Sequence, residues 1–212
     1  MAQGLRVLDA ACGSGYGTAQ LVGAGGAASG IGVDLSQESI DAARARYGGT
    51  GAEFRQADIL NLDFPDGAFD FIASFETIEH ISDDSAYVSE MRRVLRPGGL
   101  LLCSTPNRLV TNPGTTISEP PYNPYHVREY TKEELHAKLS ARFHSISMLG
   151  QMTWSESYCL MLARAASFSR MLAVRVHQVR KVLRSPFDRI DDFRPQQLTA
   201  GREPETLIAM CS

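Results

Sequence analysis

The residues best spaced for chemistry begin at Asp9. It closes the short apolar run "RVLDAA", and glycines follow at positions 13, 15 and 17 in "VLDAACGSGYG". A glycine loop between a strand and a helix lets backbone approach a ligand closely. The dinucleotide pattern GxGxxG fails here at its third glycine: Thr18 stands in that place, and Gly17 comes one residue early. No GK[ST] follows, which removes the P-loop. Between Asp9 and Arg44 there is no Lys or Arg. A carboxylate at the strand end repels a pyrophosphate and attracts a cation, an effect of several kcal/mol at most in a partly dry site. The loop is therefore expected to serve a positively charged ligand.

Two further carboxylates close later runs. Asp34, in "GVDLS", lies 21 residues after Gly13, where an acid accepts hydrogen bonds from ribose hydroxyls; the competing reading is a helix-entry acid ahead of Ser36. Asp58, in "QADI", is placed to accept from an adenine amino group with Ile59 against the ring, or it is a plain loop acid. Asp34 alone suits NAD as well as any other nucleoside. S-adenosylmethionine has a sulfonium, an ammonium, a ribose and an adenine, and no phosphate, so it also meets the polarity of the loop.

The elements that must carry these residues alternate. Strands are read at "RVLDAA", "ASGIGVDLS", "AEFRQADI", "FDFIASF" and "LLLCSTP". Helices are read at "GTAQLVGAG", "SQESIDAARARY" and "DDSAYVSEMRRVL", with "RPGG" as a turn. This βαβαβ rhythm implies a parallel sheet with helices on both faces and ligands at the carboxyl ends of the strands. Residues 111–131 hold four prolines and no period, which predicts a functional loop or a mobile one. "TKEELHAKL" has a capping box, Thr131 with Glu134. "FHSISMLGQ" and "EPETLIAMCS" complete the set as sixth and seventh strands.

Between those two strands, residues 151–199 read as a helical insertion. In "SFSRMLAVRVHQVRKVL" Phe168, Met171, Leu172, Val176, Val179, Val182 and Leu183 share one side, and Arg170, His177, Arg180 and Lys181 the other; Arg175 breaks the pattern. No acid occurs from Leu160 to Arg184. Three roles are open to residues 167–184: a lid or lobe helix on the core, a homodimer contact, or an element lying at a membrane surface.

The whole chain, 212 residues with net charge −3 and 43% hydrophobic residues, suits one domain with an appendage. Its mild acidity argues against nucleic acid as a partner. Cys12, Cys103, Cys159 and Cys211 form no CxxC pair and are expected as free thiols in a reducing compartment. With no apolar run of about 18 residues and no signal-peptide layout, the expected place is the cytoplasm, with peripheral contact at the inner membrane face through 167–184 as the variant.

Taken together the motifs resemble those of the class I S-adenosylmethionine-dependent methyltransferases, over residues 5–108 and more loosely over 125–150 and 204–212. "VLDAACGSGYG" is similar to that family's first motif with Asp9, Gly13 and Gly15 aligned; it departs at Ala11, where glycine is more usual. "GVDLS", "QADI", "FDFIASFETIEHI" and "LRPGG" resemble the ribose, adenine and fourth-strand motifs and the turn before strand five. The resemblance implies a Rossmann-like doubly wound α/β sheet of seven strands, mostly parallel with an antiparallel last strand, built from residues 1–150 and 200–212. It implies methionine contacts from the backbone around Ala11 and Gly13 with Asp9 orienting that end. It places the ribose on Asp34, the adenine near Leu35 with its edge on Asp58 and Ile59, and Phe75 and Glu76 beside the cofactor. Glu79 and His80 in "ETIEHI" are similar to the ExxEH of the ubiquinone-biosynthesis-like branch, or they are structural residues at a helix start. Many members carry covering helices before the first strand, so here another segment is expected to cover the substrate, unless the start is truncated.

Methyl transfer from a sulfonium is an in-line displacement, and a base matters when the nucleophile is a hydroxyl. His126 in "NPYHVREYT" and, second to it, His80 are the candidate bases; otherwise His126 pins its loop. His136, His144 and His177 are expected at the surface. No metal cluster is expected, and "STPN" and "EPPY" do not stand at the end of strand four, where an amino-methylating NPPY signature belongs. The reading is O-methylation of a small-molecule, sugar or lipid-linked acceptor. Its rivals are an NAD or nucleotide-sugar oxidoreductase and a non-catalytic S-adenosylmethionine-binding pseudoenzyme.

Overall fold

The computed structural model describes residues 2–155, 157, 160–161, 163–164, 195–198 and 200–212. In chain order the elements are β1 (Arg6–Ala10), α1 (Tyr16–Val22), β2 (Ser29–Asp34), α2 (Gln37–Tyr47), β3 (Ala52–Gln56), β4 (Phe69–Phe75), a 3-10 turn (Ile78–His80), α3 (Asp84–Val94), β5 (Leu95–Pro106), α4 (Arg108–Thr111), α5 (Lys132–Ser140), β6 (Ile146–Ser155), β7 (Gln196–Gln197) and β8 (Arg202–Cys211). They form one sheet in the order β3-β2-β1-β4-β5-β8-β6-β7. The strands from β3 to β5 are parallel, and β8 runs antiparallel to both β5 and β6. The sheet thus has eight strands where seven were expected. The extra one is β7, a two-residue strand on Leu149 and Gly150 of β6, too short to leave an alternation in the sequence. The "RPGG" turn is likewise absorbed into β5, whose pairing with β4 shifts register between Phe69 and Phe71.

Chain order reverses at the β1–β4 junction, and ligands of such sheets sit outside the carboxyl ends of the strands there. The period-2 alternation of β5 and β8 sorts side chains to two faces. Leu101, Cys103, Leu207, Ala209 and Cys211 pack with Tyr87, Met91, Leu135 and Leu139 of α3 and α5. Leu100 and Leu102 turn to the opposite face, which also holds Val7, Phe71 and Leu21. α1 starts on Gly15 at φ 82°, and a Cβ there would lie 2.6 Å from the Phe54 ring and 2.7 Å from Ala43. Only glycine fits this position. α2 is capped by Ser36 accepting from Ser39 N–H, and α5 has the full Thr131–Glu134 capping box.

The two ends of the span 151–199 are strand: β6 continues to Ser155, and β7 occupies 196–197. The amphipathic stretch 167–184, with His177, and Cys159 lie outside the described residues. His136 and His144 are exposed, Cys103 and Cys211 are buried free thiols and Cys12 is partly buried. Among the described residues no helix is long and apolar enough to cross a membrane.

Candidate active site

The glycine loop is tied to the end of β2. Cys12 N–H donates to the Val33 carbonyl at 2.9 Å, and Gly13 N–H donates to Asp34 Oδ2 at 2.9 Å. Asp34 Oδ1 accepts from Ser36 N–H at 2.9 Å, so one carboxylate holds the loop and opens α2. Each oxygen keeps a second lone pair, and Asp34 still faces a cleft of about 290 Å³. Ala11, Leu35, Asp58, Ile59 and Glu76 line the same cleft, and His80 stands at its edge. Leu35 is 70% exposed while Ile59 is buried, and both contribute apolar surface to the cleft. Asp58 uses Oδ1 on Leu60 N–H. The described lining contains no Lys or Arg; its charged residues are Asp34, Asp58 and Glu76, with His80 the other titratable group.

Four of the expected residues, Asp9, Gly13, Gly15 and Phe75, are not part of that lining. Asp9 is 5% exposed beneath the loop, where its Oδ2 accepts from Thr18 Oγ1 at 2.7 Å and burial pushes its pKa up. A Cβ on Gly17 would come within 2.9 Å of that oxygen. Gly13 and Gly15 shape the loop without lining the cleft. Phe75, 46% exposed, faces a neighbouring hollow that Glu76 shares.

Among described non-glycine residues, Ala11 (φ 64°) and Glu76 (φ 51°) have positive φ. Both border the cleft, and such strain concentrates at functional sites. The glycine usual at the Ala11 position is what this backbone favours. Glu76 is held by Ser104, whose carbonyl accepts from Glu76 N–H at 3.0 Å and whose hydroxyl donates to Oε1 at 2.7 Å.

Next to Glu76 the 3-10 turn presents Glu79 and His80. Glu79 is fully buried. Its Oε2 accepts from Thr105 Oγ1 at 2.9 Å, and its Oε1 has no hydrogen-bond partner. Burial, then the Glu76 charge, push its pKa up to about 8. Its carbonyl accepts from the N–H groups of Val127 and Arg128, which pins the second half of the 111–131 loop beside the site. His80 Nδ1 lies 2.8 Å from the Tyr125 carbonyl. A carbonyl only accepts, so Nδ1 carries a proton, and in the neutral ring Nε2 is then the basic nitrogen. Nε2 is 4.0 Å from Glu79 Oε1.

His126 stands behind His80, edge to face with ring centroids 4.9 Å apart. Its Nδ1 is 2.6 Å from Glu129 Oε1 and its Nε2 is 2.8 Å from the Asn123 amide, with 11% of the side chain exposed. Glu129 is itself buried and accepts from Asn112 Nδ2 at 2.6 Å and from Thr111 Oγ1. Glu79, His80 and His126 each bring one ligand-type atom within 4.8 Å of the others. Sequence reasoning missed Glu129, although its i+3 spacing from His126 was visible, and the Tyr125 carbonyl, since a backbone oxygen has no signature.

A family model described as a methyltransferase domain matches residues 8–103. A probable S-adenosylmethionine-dependent methyltransferase of Mycolicibacterium smegmatis is 42% identical over 132 residues, 62% of this chain and 49% of that protein. A ubiquinone biosynthesis O-methyltransferase of Cereibacter sphaeroides is 36% identical over 50% of this chain and 43% of its own length. The chain thus spans about half the length of the curated relatives it matches. Among solved structures, a SAM-dependent methyltransferase from Thermotoga maritima superposes with a TM-score of 0.66 at 16% identity, covering 98% of this chain and 81% of that one. At that identity the likeness shows the fold.

Proposed function

We propose, from the methyltransferase-domain match over residues 8–103 and the relatives above, that the chain is a class I S-adenosylmethionine-dependent methyltransferase with S-adenosylmethionine as its cofactor, and that it methylates a hydroxyl of a small-molecule, sugar or lipid-linked acceptor. The observation that carries the proposal is the polarity of the cleft: three carboxylates and no Lys or Arg among its described lining. A pyrophosphate would meet like charge on every side, which counts against the oxidoreductase reading, whereas a sulfonium and an ammonium would be attracted. The apolar surface of Leu35 and Ile59 suits a flat base with Asp58 near its edge, and Asp34 suits the ribose hydroxyls.

When bound, the cofactor supplies an electrophilic methyl on a sulfonium that departs as a neutral thioether. The chain's own part is to align the acceptor, exclude water and take one proton. Of the two histidines, His80 is placed for that proton. Its tautomer is fixed by the Tyr125 carbonyl, Nε2 is the basic nitrogen of its neutral ring, and it borders the cleft. An acceptor could reach His126 Nε2 only by displacing Asn123, so His126 serves as the support behind His80. A positioned base contributes roughly 10²–10⁴-fold to the rate. His80→Ala should therefore lose about that factor in kcat while S-adenosylhomocysteine binding is kept.

The test is transfer of a labelled methyl group from S-adenosylmethionine into cell-extract fractions, with the product identified. Label in a methyl ether supports the reading, and label in a methyl ester, the product of a carboxylate, contradicts it. Label on nitrogen or carbon contradicts the O-methyl assignment, and tight cofactor binding with no transfer to any fraction points to the non-catalytic alternative.

A further inference from the structure

Methyl transfer brings the accepting atom to about 3–3.5 Å from the reacting carbon, so the acceptor's seat must open on the cofactor cleft. Two other cavities invite comparison. One, of about 420 Å³ between α3 and α5, is lined by Lys138, Arg142 and Glu134 and shares no lining residue with the cleft. The other, of about 570 Å³, shares Glu76 with it.

That second hollow lies on the face of the sheet opposite α3 and α5. Register explains its composition. Leu102 of β5 pairs with Met210 of β8, Ser104 pairs with Ile208, and Leu149 of β6 pairs with Ile208 from the other side. These side chains therefore project to one face, with Phe75 and Glu76 at the carboxyl end of β4 where hollow and cleft meet. The polar members of the lining, Ser104, Gln151 and Thr206, are neutral, and Glu76 is the one charged residue in the described lining. The volume falls within the range of small-molecule sites.

We infer that this hollow seats the acceptor, and that the acceptor is an uncharged molecule whose apolar body, a ring or an aliphatic chain, lies on Leu102, Leu149, Ile208 and Met210 while its hydroxyl points past Glu76 toward the cleft. This rests on the methyltransferase reading and narrows it. A phosphorylated sugar or other anionic head would find no cation in the described lining of the hollow and would face the Glu76 carboxylate. A neutral apolar body instead gains by leaving water along four side chains.

The experiment uses the whole chain saturated with S-adenosylhomocysteine. The neutral dye N-phenyl-1-naphthylamine is titrated by fluorescence and then competed with 4-octylphenol or with octyl phosphate. The inference expects one dye site per chain, displaced by 4-octylphenol and not by octyl phosphate. Met210→Lys should weaken the dye roughly tenfold or more, the scale on which pockets discriminate apolar groups, with S-adenosylhomocysteine affinity unchanged. Leu149→Gln, on the neighbouring strand, should act in the same direction and guards against a folding defect in one variant. Cofactor binding without a dye site, equal dye binding in both variants, or equal competition by octyl phosphate overturns the inference and leaves the methyltransferase reading standing. Failure to bind S-adenosylhomocysteine at all overturns both.

Discussion

Ala11 and Gly15 sit four residues apart in the same loop, both with positive φ, and they predict opposite outcomes. An L-residue in the left-handed region costs about 1–2 kcal/mol, and glycine gives back about 0.5–1 kcal/mol through its looser unfolded chain. Ala11→Gly should therefore be neutral or stabilising by at most about 1.5 kcal/mol in urea denaturation. Gly15→Ala adds contacts of 2.6–2.8 Å with Phe54 and Ala43 to the same strain, so it should cost about 2 kcal/mol or more. Glu79 makes a prediction in pH. Its folded pKa is raised from 4.5 to about 8, so between those values the folded state holds a proton that the unfolded state has lost. Its contribution is present below about 4.5 and lost as pH rises through about 8. Glu79→Gln, compared with the parent in chelator-treated buffer, should show a shallower fall in denaturation midpoint over that window; parallel curves would remove Glu79 from the account. Asp9 shows how far a single residue could be read. That the loop region is negative was legible from the absence of Lys and Arg. That Asp9 itself faces down to Thr18, leaving Asp34, Asp58 and Glu76 to line the cleft, depends on packing that no local spacing encodes.

At the scale of elements, the 111–131 loop becomes part of the site because its ends are anchored. Asp84 on α3 accepts from Arg128 Nη1 at 2.5 Å, the Tyr130 hydroxyl at 2.8 Å and Lys138 Nζ at 2.8 Å, joining the loop's exit and α5 to α3. Burial pushes Asp84 up, and Lys138, Tyr130 and Arg128 together outweigh it and leave its pKa lowered. Breaking such a buried pair costs about 3–5 kcal/mol; Asp84→Asn, which keeps the shape, should cost about 2–3 kcal/mol at neutral pH. Because the folded pKa is depressed, that difference is present above the ordinary carboxylate range and should shrink as pH falls through it. A loss that persists unchanged in acid would assign the effect to shape alone. The capping box at Thr131 and Glu134 was readable because both partners lie within four residues. The parallel strands were readable because each is a short apolar run between a turn and a helix. The β7 strand and the loop's contacts to Glu79 were not, since two residues carry no period and the loop's partners are backbone carbonyls distant in sequence.

At the scale of the molecule, a sheet that reverses its winding between β1 and β4 gathers acidic side chains from the end of β2 and from the residues after β3 and β4 around one cleft. The charge of that cleft is set by three segments at once, and on the proposed reading it favours a cationic ligand over a pyrophosphate. Calorimetric titration of the ligand-free protein with S-adenosylmethionine and, in parallel, with NAD tests this most directly. One S-adenosylmethionine should bind per chain, with no measurable heat from NAD at the same concentrations; NAD binding as tightly as S-adenosylmethionine, or more so, would contradict the account.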